Sequence, residues 1–299
     1  MVARGAHLEA IRRNGLTLLK GTERIVGKVR AAEDPKELGP AEYVLVTLKA
    51  TGLPVLAQRI GPLLGKDTAV VFAQNGIPWW YAQGISAARS RTPDLGQLDP
   101  GGKLAKAISP ERVIGSVVYS ANEVVEPGVV KNNAPGRNVL VLGEPDDKPT
   151  ERLQRLAAAL EKSSIRAPIE TDIRRSIWAK LLINLGSSST GMVTGGTVKE
   201  NLADPAIAAL RKRMHAQARA VAEAHGVNTE GAPLPPPHAS GGPQHKTSML
   251  QDYELGRPME IDAILMAPLW FARAANLPVP TLEAVIALAA HKAKRKGLY

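Results

Sequence analysis

The stretch SIWAKLLINLGSSSTG, residues 176–191, combines polar and apolar residues in a pattern that could support catalysis. Lys180, Asn184 and Ser188 are spaced by four, so on a helix they form one polar stripe. Apolar residues surround this stripe on several sides, and a polar group in such surroundings needs a partner or a ligand to offset its desolvation. Because burial lowers the pKa of a lysine toward neutrality, Lys180 is a candidate general acid. A solvated lysine on a helix surface is the ordinary alternative.

Two further polar positions follow apolar runs in the first half of the chain. Lys49 lies near the end of the stretch VTLKA, and Asn75 with Gly76 ends FAQNG. The runs YVLVTL and TAVVFA are typical of strands that are buried on both faces of a sheet. Ligands bind beyond the carboxyl ends of such strands, which favours a binding site at Lys49 and Asn75. An Asn-Gly pair after a strand is also a common turn, so this motif alone leaves both interpretations open.

The segment HKTSMLQDYELGRPMEID, residues 245–262, alternates polar and apolar side chains. Ser248, Asp252 and Glu260 are polar positions in this segment beside the apolar Met249, Leu250 and Ile261. Taken alone, Thr247 and Ser248 form a helix N-cap pair, and Glu260 is an acid in the first turn of the next helix.

The elements that position these residues change character near residue 147. The chain opens on an amphipathic helix that carries Ala6, Leu8, Ile11 and Leu16. Strands are then predicted at 25–29, 43–48, 68–72, 113–119, 129–131 and 139–142, with a helical pattern at 50–64 and an antiparallel edge toward the later strands. After Thr150 four long helical patterns follow at 150–164, 172–188, 204–226 and 280–297, with starts at Thr150 and Asp204 and a proline-rich loop at 231–243. An α/β domain followed by an all-helical domain, with a cleft between them, is the expected architecture.

Composition narrows the classes of function. The 299 residues include no cysteine, which excludes disulfides and cysteine-based metal or redox chemistry and is compatible with a cytoplasmic location. Neither a run of apolar residues long enough for a membrane span nor a secretory signal pattern is present. The net charge is +10, but the basic residues are scattered and aromatic residues make up only 4%, which argues against a nucleic-acid partner.

The motifs VTLKA, QNG, WAKLLxN and HxTSMLQDxxxGRxxEID together closely resemble the ketopantoate reductase (2-dehydropantoate 2-reductase) family. The resemblance covers essentially the whole chain in order and spacing. It implies an N-terminal Rossmann-type α/β domain over residues 1–147 and a helical catalytic domain over residues 148–299. It also implies NADPH-dependent reduction of 2-dehydropantoate or a close branched 2-oxo acid in pantothenate biosynthesis, with a small-molecule partner and a homodimer as one assembly.

The resemblance assigns a role to each matching residue. Lys180 would donate a proton to the 2-oxo oxygen. Asn184, Ser188 and Ser248 would hold substrate oxygens. The cofactor-binding positions would be Arg4, Lys49, Asn75, Ala121 and Glu260, with Arg4 at the adenosine 2′-phosphate, where a guanidinium suits NADP over NAD.

Departures from the family pattern leave the substrate and two alternative functions open. Ser188 and His245 stand where family members often have asparagine, so the substrate side chain is not fixed. The family's first strand and its G-x-G-x-x-G turn are missing before Arg4, and we expect them in the genomic sequence upstream. The alternatives are a β-hydroxyacid dehydrogenase, which also has an asparagine four residues after its catalytic lysine, and a truncated relative that acts as a non-catalytic interaction protein.

Overall fold

The structure, a computed structural model, describes residues 1–85, 92–163, 165–231 and 245–299. Within them the strands are β1 (Leu16–Lys20), β2 (Glu23–Gly27), β3 (Ala41–Val46), β4 (Leu64–Phe72), β5 (Val113–Tyr119), β6 (Asn122–Glu126), β7 (Val129–Asn132) and β8 (Val139–Gly143). The α-helices are α1 (Gly5–Asn14), α2 (Leu53–Arg59), α3 (Lys103–Ile108), α4 (Glu151–Glu161), α5 (Ile173–Thr194), α6 (Val198–Ala203), α7 (Pro205–Ala224), α8 (Ser248–Glu254), α9 (Ala267–Ala274) and α10 (Pro280–Arg295). A π-helical turn, Asp262–Met266, precedes α9.

The main sheet has the strand order β3-β4-β5-β8. β3, β4 and β5 run parallel, and β8 pairs antiparallel with β5, which confirms the predicted antiparallel edge. Alternate residues of β4 enter two different cores: Val70 and Phe72 pack with α2, α3 and α5, whereas Val71 packs with α4. Burial on both faces explains the near-continuous apolar runs in these strands, and the α/β Rossmann-type class followed by helices is confirmed.

A second sheet has the strand order β2-β1-β7-β6. The prediction that the opening helix extends to Leu16 was wrong. The helix ends at Asn14, and Leu16 begins β1 of this sheet. Gly15 separates the two elements with a φ of 80°, a conformation that favours glycine over other residues. β6 was also missed. Its exposed valines, Val124 and Val125, lack the alternation that marks a half-buried strand.

The predicted helix at 50–64 is shorter than its pattern. Only Leu53–Arg59 is α-helical, with single 3₁₀ turns on both sides, and β4 already begins at Leu64. Pro62 explains the break, since proline cannot donate the hydrogen bond that would continue the helix.

The helical half is built around α5, which is buried on nearly every side by β5, α7, α8 and α10. The predicted helix starts are confirmed: the Thr150 side chain accepts from the Leu153 N–H, and Asp204 accepts from the N–H groups of Ala206 and Ile207. The domain boundary at residues 147 and 148 stays a prediction. Most of the proline-rich loop at 231–243 lies outside the described residues. Among the described residues, no helix is both long and apolar enough to cross a lipid bilayer.

Candidate active site

The carboxyl ends of β3, β4 and β5 lie at one edge of the main sheet, where the helical half covers it. Lys49 follows β3, Asn75 follows β4 and Ala121 follows β5. The amine of Lys49 pairs with the carboxylate of Asp252 on α8, which ties the sheet edge to the helical half. This arrangement creates a cleft at the position where open α/β sheets bind their ligands.

Lys180 lies on the stretch of α5 that faces this edge. Its Nζ is 4.6 Å from the centre of the Tyr119 ring, at the end of β5. Among the described residues, no carboxylate oxygen lies within ion-pair distance of the Lys180 Nζ. Burial, aided by the positive charge of Arg137, lowers the pKa of Lys180 to about 8. A lysine with this pKa holds a proton at neutral pH and can release it to a developing alkoxide.

Asn75 and Asn184 meet across the cleft. The Asn184 Nδ2 donates to the Asn75 Oδ1 at 3.3 Å, which joins the β4 turn to α5 one helical turn beyond Lys180. The next residue, Gly76, has a φ of 82° and lies against the backbone of Ala263. The Ile77 N–H donates to the Ala263 carbonyl at 2.8 Å. Ala263 lies in the π-helical turn, whose wider hydrogen-bond spacing is common at functional sites.

Glu260 lies beside the end of β3. Its Oε1 accepts the Ala50 N–H at 2.8 Å. Burial raises the pKa of Glu260, while the Ala50 hydrogen bond and the Lys49 charge oppose that rise and Asp252 adds to it. Lys49, Asp252 and Glu260 therefore form a polar cluster that links the sheet to α8 and the π-helical turn.

A cavity of about 220 Å³ adjoins this cluster. Its walls include Ala50, Gln74, Asn75, Trp79 and Glu260, so both halves of the chain contribute to it.

The other predicted positions are less closely connected to the cluster. Ser188 is buried on α5, one turn beyond Asn184, and Ser248 is exposed at the first position of α8, directly after its N-cap Thr247. Ala121 accepts a backbone hydrogen bond from Asn133 at 2.8 Å. Arg4 is exposed at the N-cap of α1, and no contact in the described part of the chain joins it to Lys49, Asn75 or Glu260.

The structure adds residues that sequence reasoning did not place in the site. Asp252 was recognised only as a polar position, because its pairing with Lys49 spans 203 residues of sequence. Tyr119 and Arg137 come beside Lys180 from different elements, and no spacing in the sequence relates them.

Comparisons with known proteins agree with this architecture. The family model described as ketopantoate reductase PanE/ApbA matches residues 1–146, and the model for its C-terminal part matches residues 172–293. A 2-dehydropantoate 2-reductase of Mesorhizobium japonicum is 43% identical over 300 residues, covering 100% of this chain and 91% of that protein.

Solved structures agree as well. One from Ralstonia solanacearum MolK2 has a TM-score of 0.83 at 32% identity and covers 100% of this chain and 91% of its own. A PanE/ApbA family ketopantoate reductase from Ralstonia eutropha JMP134 has a TM-score of 0.79 at 25% identity, covering 99% of this chain and 90% of its own.

Proposed function

The chain belongs to the ketopantoate reductase family of oxidoreductases, and we propose that it reduces 2-dehydropantoate or a close branched 2-oxo acid to the 2-hydroxy acid with NADPH. The name of the Mesorhizobium relative supports the substrate class. A place in pantothenate biosynthesis, a cytoplasmic location and a homodimer are further parts of this proposal.

The observation that carries the proposal is the environment of Lys180. A mostly buried ammonium lies at the carboxyl edge of the sheet, and no carboxylate among the described residues neutralises it. Such a group can donate a proton to the 2-oxo oxygen as the carbon is reduced. Its pKa of about 8 lies close to neutral pH, where general acids are most effective.

The neighbouring amides would orient the substrate. Asn184 and Asn75 present donors and acceptors on both sides of the cleft, within reach of the keto and hydroxyl oxygens of a small acid. Ser188 and Ser248 are proposed as additional contacts for substrate oxygens. A site whose polar groups match the substrate's oxygens rejects analogues that leave them unpaired.

The residues present fit the nicotinamide and ribose part of the cofactor. Glu260 uses Oε1 for the Ala50 N–H, and its Oε2 has no partner within the described ranges, so this oxygen can accept from a ribose hydroxyl. Lys49, Asn75 and Ala121 follow three neighbouring strands and would line the same path. When bound, NADPH supplies the hydride that reduces the carbonyl carbon.

The test of the function is turnover. We expect the chain to oxidise NADPH in the presence of 2-dehydropantoate, faster than with unbranched 2-oxo acids. Lys180→Ala should lower kcat by about 10²- to 10⁴-fold, because it removes a positioned proton donor. Lys212→Ala, at an exposed position on α7, is the matched control. Absence of turnover with every 2-oxo acid, or full kcat in Lys180→Ala, would refute the proposal.

Arg4 provides a test of the cofactor. If its guanidinium binds the 2′-phosphate, Arg4→Ala should weaken NADPH binding, measured by titration calorimetry, and leave NADH binding unchanged. Arg13→Ala, also on α1 and also exposed, removes the same charge as a control. Equal losses for the two cofactors, or none, would assign Arg4 no part in cofactor choice.

A further inference from the structure

Two cations, the Lys180 ammonium and the Arg137 guanidinium, lie over the ring of Tyr119. The Lys180 Nζ is 4.6 Å from the ring centre, and the guanidinium carbon of Arg137 is 5.9 Å from it. The ring itself is only 3% exposed. Burial raises the pKa of the Tyr119 phenol to about 12, opposed by the charge of Arg137 and aided by that of Glu170, so the hydroxyl stays neutral near neutral pH.

Arg137 is held in place by the loop that carries it, residues 133–138. The Asn132 Nδ2 donates to the Asn138 Oδ1 at 2.6 Å, and the Ser120 hydroxyl donates to the same oxygen at 2.6 Å. The Arg137 N–H closes a turn on the Ala134 carbonyl at 2.9 Å. The loop thus fixes the backbone at Arg137, and the guanidinium extends from it to lie over the Tyr119 ring. The Arg137 Nε is buried and finds no acceptor within the described chain.

We propose that Tyr119 and Arg137 are positioning residues for Lys180: the ring seats the ammonium at the sheet edge, and the guanidinium places a second positive charge over the same ring. The inference rests on the proposed function in one respect, namely that Lys180 gives its proton to the 2-oxo oxygen of the substrate. The contacts themselves exist whatever the substrate is.

The two neighbours act on Lys180 in opposite directions. An aromatic face attracts a cation, which favours the protonated amine. A second cation nearby disfavours it, in the same sense as burial. Removing the ring should therefore lower the pKa of Lys180, and removing the guanidinium should raise it.

The test measures the pKa of Lys180 directly, without cofactor or substrate. In protein labelled with ¹³C-lysine, the side-chain signal that disappears in Lys180→Met identifies the residue, and its shift is followed against pH by NMR. We expect a midpoint near pH 8 in the wild type. Arg137→Gln should move it up, and Tyr119→Leu should move it down, each by about half a unit or more. Tyr119→Phe keeps the ring and should restore the wild-type midpoint.

Two comparisons keep the result decisive. Arg155→Gln removes an equal charge from α4, which covers the opposite face of the main sheet, and should leave the midpoint unchanged. Equal shifts in Arg137→Gln and Arg155→Gln, or equal shifts in Tyr119→Phe and Tyr119→Leu, would overturn the inference. If Tyr119→Leu fails to fold, the pair of arginine variants decides. Loss of the proposed function would appear separately, as Lys180→Ala turning over at the wild-type rate.

Discussion

Lys180 places a positive charge in a mostly buried position, and the described residues provide aromatic and cationic neighbours rather than a carboxylate. Stability alone would not select such a residue, because each unit by which burial lowers a lysine pKa costs the folded state about 1.4 kcal/mol while the amine stays protonated. An unfavourable charge that persists at the carboxyl edge of a sheet is the pattern expected of a functional group.

Lys180→Met should therefore stabilise the protein while removing its activity. The pKa is about 8 in the folded chain against 10.5 for an ordinary lysine, so the unfolded state binds more protons between these values. Lys180 thus weakens folding below pH 8, and this penalty disappears as pH rises toward 10.5. We expect Lys180→Met to raise the free energy of unfolding by on the order of 2 kcal/mol at pH 7, measured by urea unfolding, with no gain above pH 10.5. A gain that does not depend on pH would show that packing, not charge, causes it.

At the residue scale, sequence reasoning placed several side chains correctly in space. The four-residue spacing predicted that Lys180 and Asn184 share a face, and both lie toward the sheet edge. It could not supply Tyr119, Arg137 or Asp252, because their contacts with Lys180 and Lys49 join elements that are distant in the chain. The chemical roles of all these residues stay predictions.

At the scale of elements, the turn after β4 depends on the π-helical turn at Asp262–Met266. The Ala263 carbonyl accepts from Ile77, and Gly76 brings its backbone against the same carbonyl group. The Asn-Gly pair is therefore more than a loop-forming turn: it holds Asn75 where Asn184 can reach it. A side chain at position 76 would prevent this close approach of the turn to the Ala263 backbone.

Gly76→Ala should be strongly destabilising. A Cβ at this position would lie 2.6 Å from the Ala263 carbonyl carbon, and the φ of 82° is itself unfavourable for alanine. We expect a loss on the order of 3 kcal/mol in the free energy of unfolding, with kcat reduced as Asn75 moves.

Gly61→Ala is the matched control, because a Cβ there meets nothing within 4 Å. Its effect should stay within about 0.5 kcal/mol. Similar losses in the two variants would show that the contact with Ala263 is not what requires glycine at position 76.

The limits of element prediction have the same physical origin. Buried strands such as β4 and β5 carry their own signal in apolar runs. β1 and β6 belong to the second sheet, their mostly exposed or half-buried residues show no clear period, and neither strand was predicted. The predicted helix at 50–64 was longer than α2, because the apolar spacing continues through Gly61 and Pro62 into a strand.

At the scale of the whole molecule, polar contacts fasten the sheet edge to the helical half, and two of them lie at the end of β3. Lys49 pairs with Asp252, and the Ala50 N–H donates to Glu260. Composition and periodicity predicted the two halves and a cleft between them, yet gave no information on what joins them. Lys49, Asn75 and Glu260 are three of the positions that the resemblance assigns to the cofactor, and all three contact residues that lie far away in the sequence. Under the proposed function, cofactor binding and the contact between the two halves would therefore be coupled.

The different exposure of Lys49 and Asp252 predicts that removing one partner of the ion pair costs more stability than removing the other. The Asp252 side chain is 6% exposed, whereas that of Lys49 is 43% exposed. Lys49→Met should leave a buried carboxylate without its cation and cost about 1–3 kcal/mol in the free energy of unfolding. Asp252→Asn leaves a lysine that water can solvate and should cost less than about 1 kcal/mol.

The double variant, Lys49→Met with Asp252→Asn, separates the loss of the pair from the burial of an unpaired charge. It should be more stable than Lys49→Met alone, because the asparagine no longer carries the charge that Lys49 balanced. Urea unfolding of the three variants at one pH measures the cycle. If Asp252→Asn costs as much as Lys49→Met, the pair itself stabilises the interface. If it costs less, the lysine is present mainly because the buried carboxylate requires a cation.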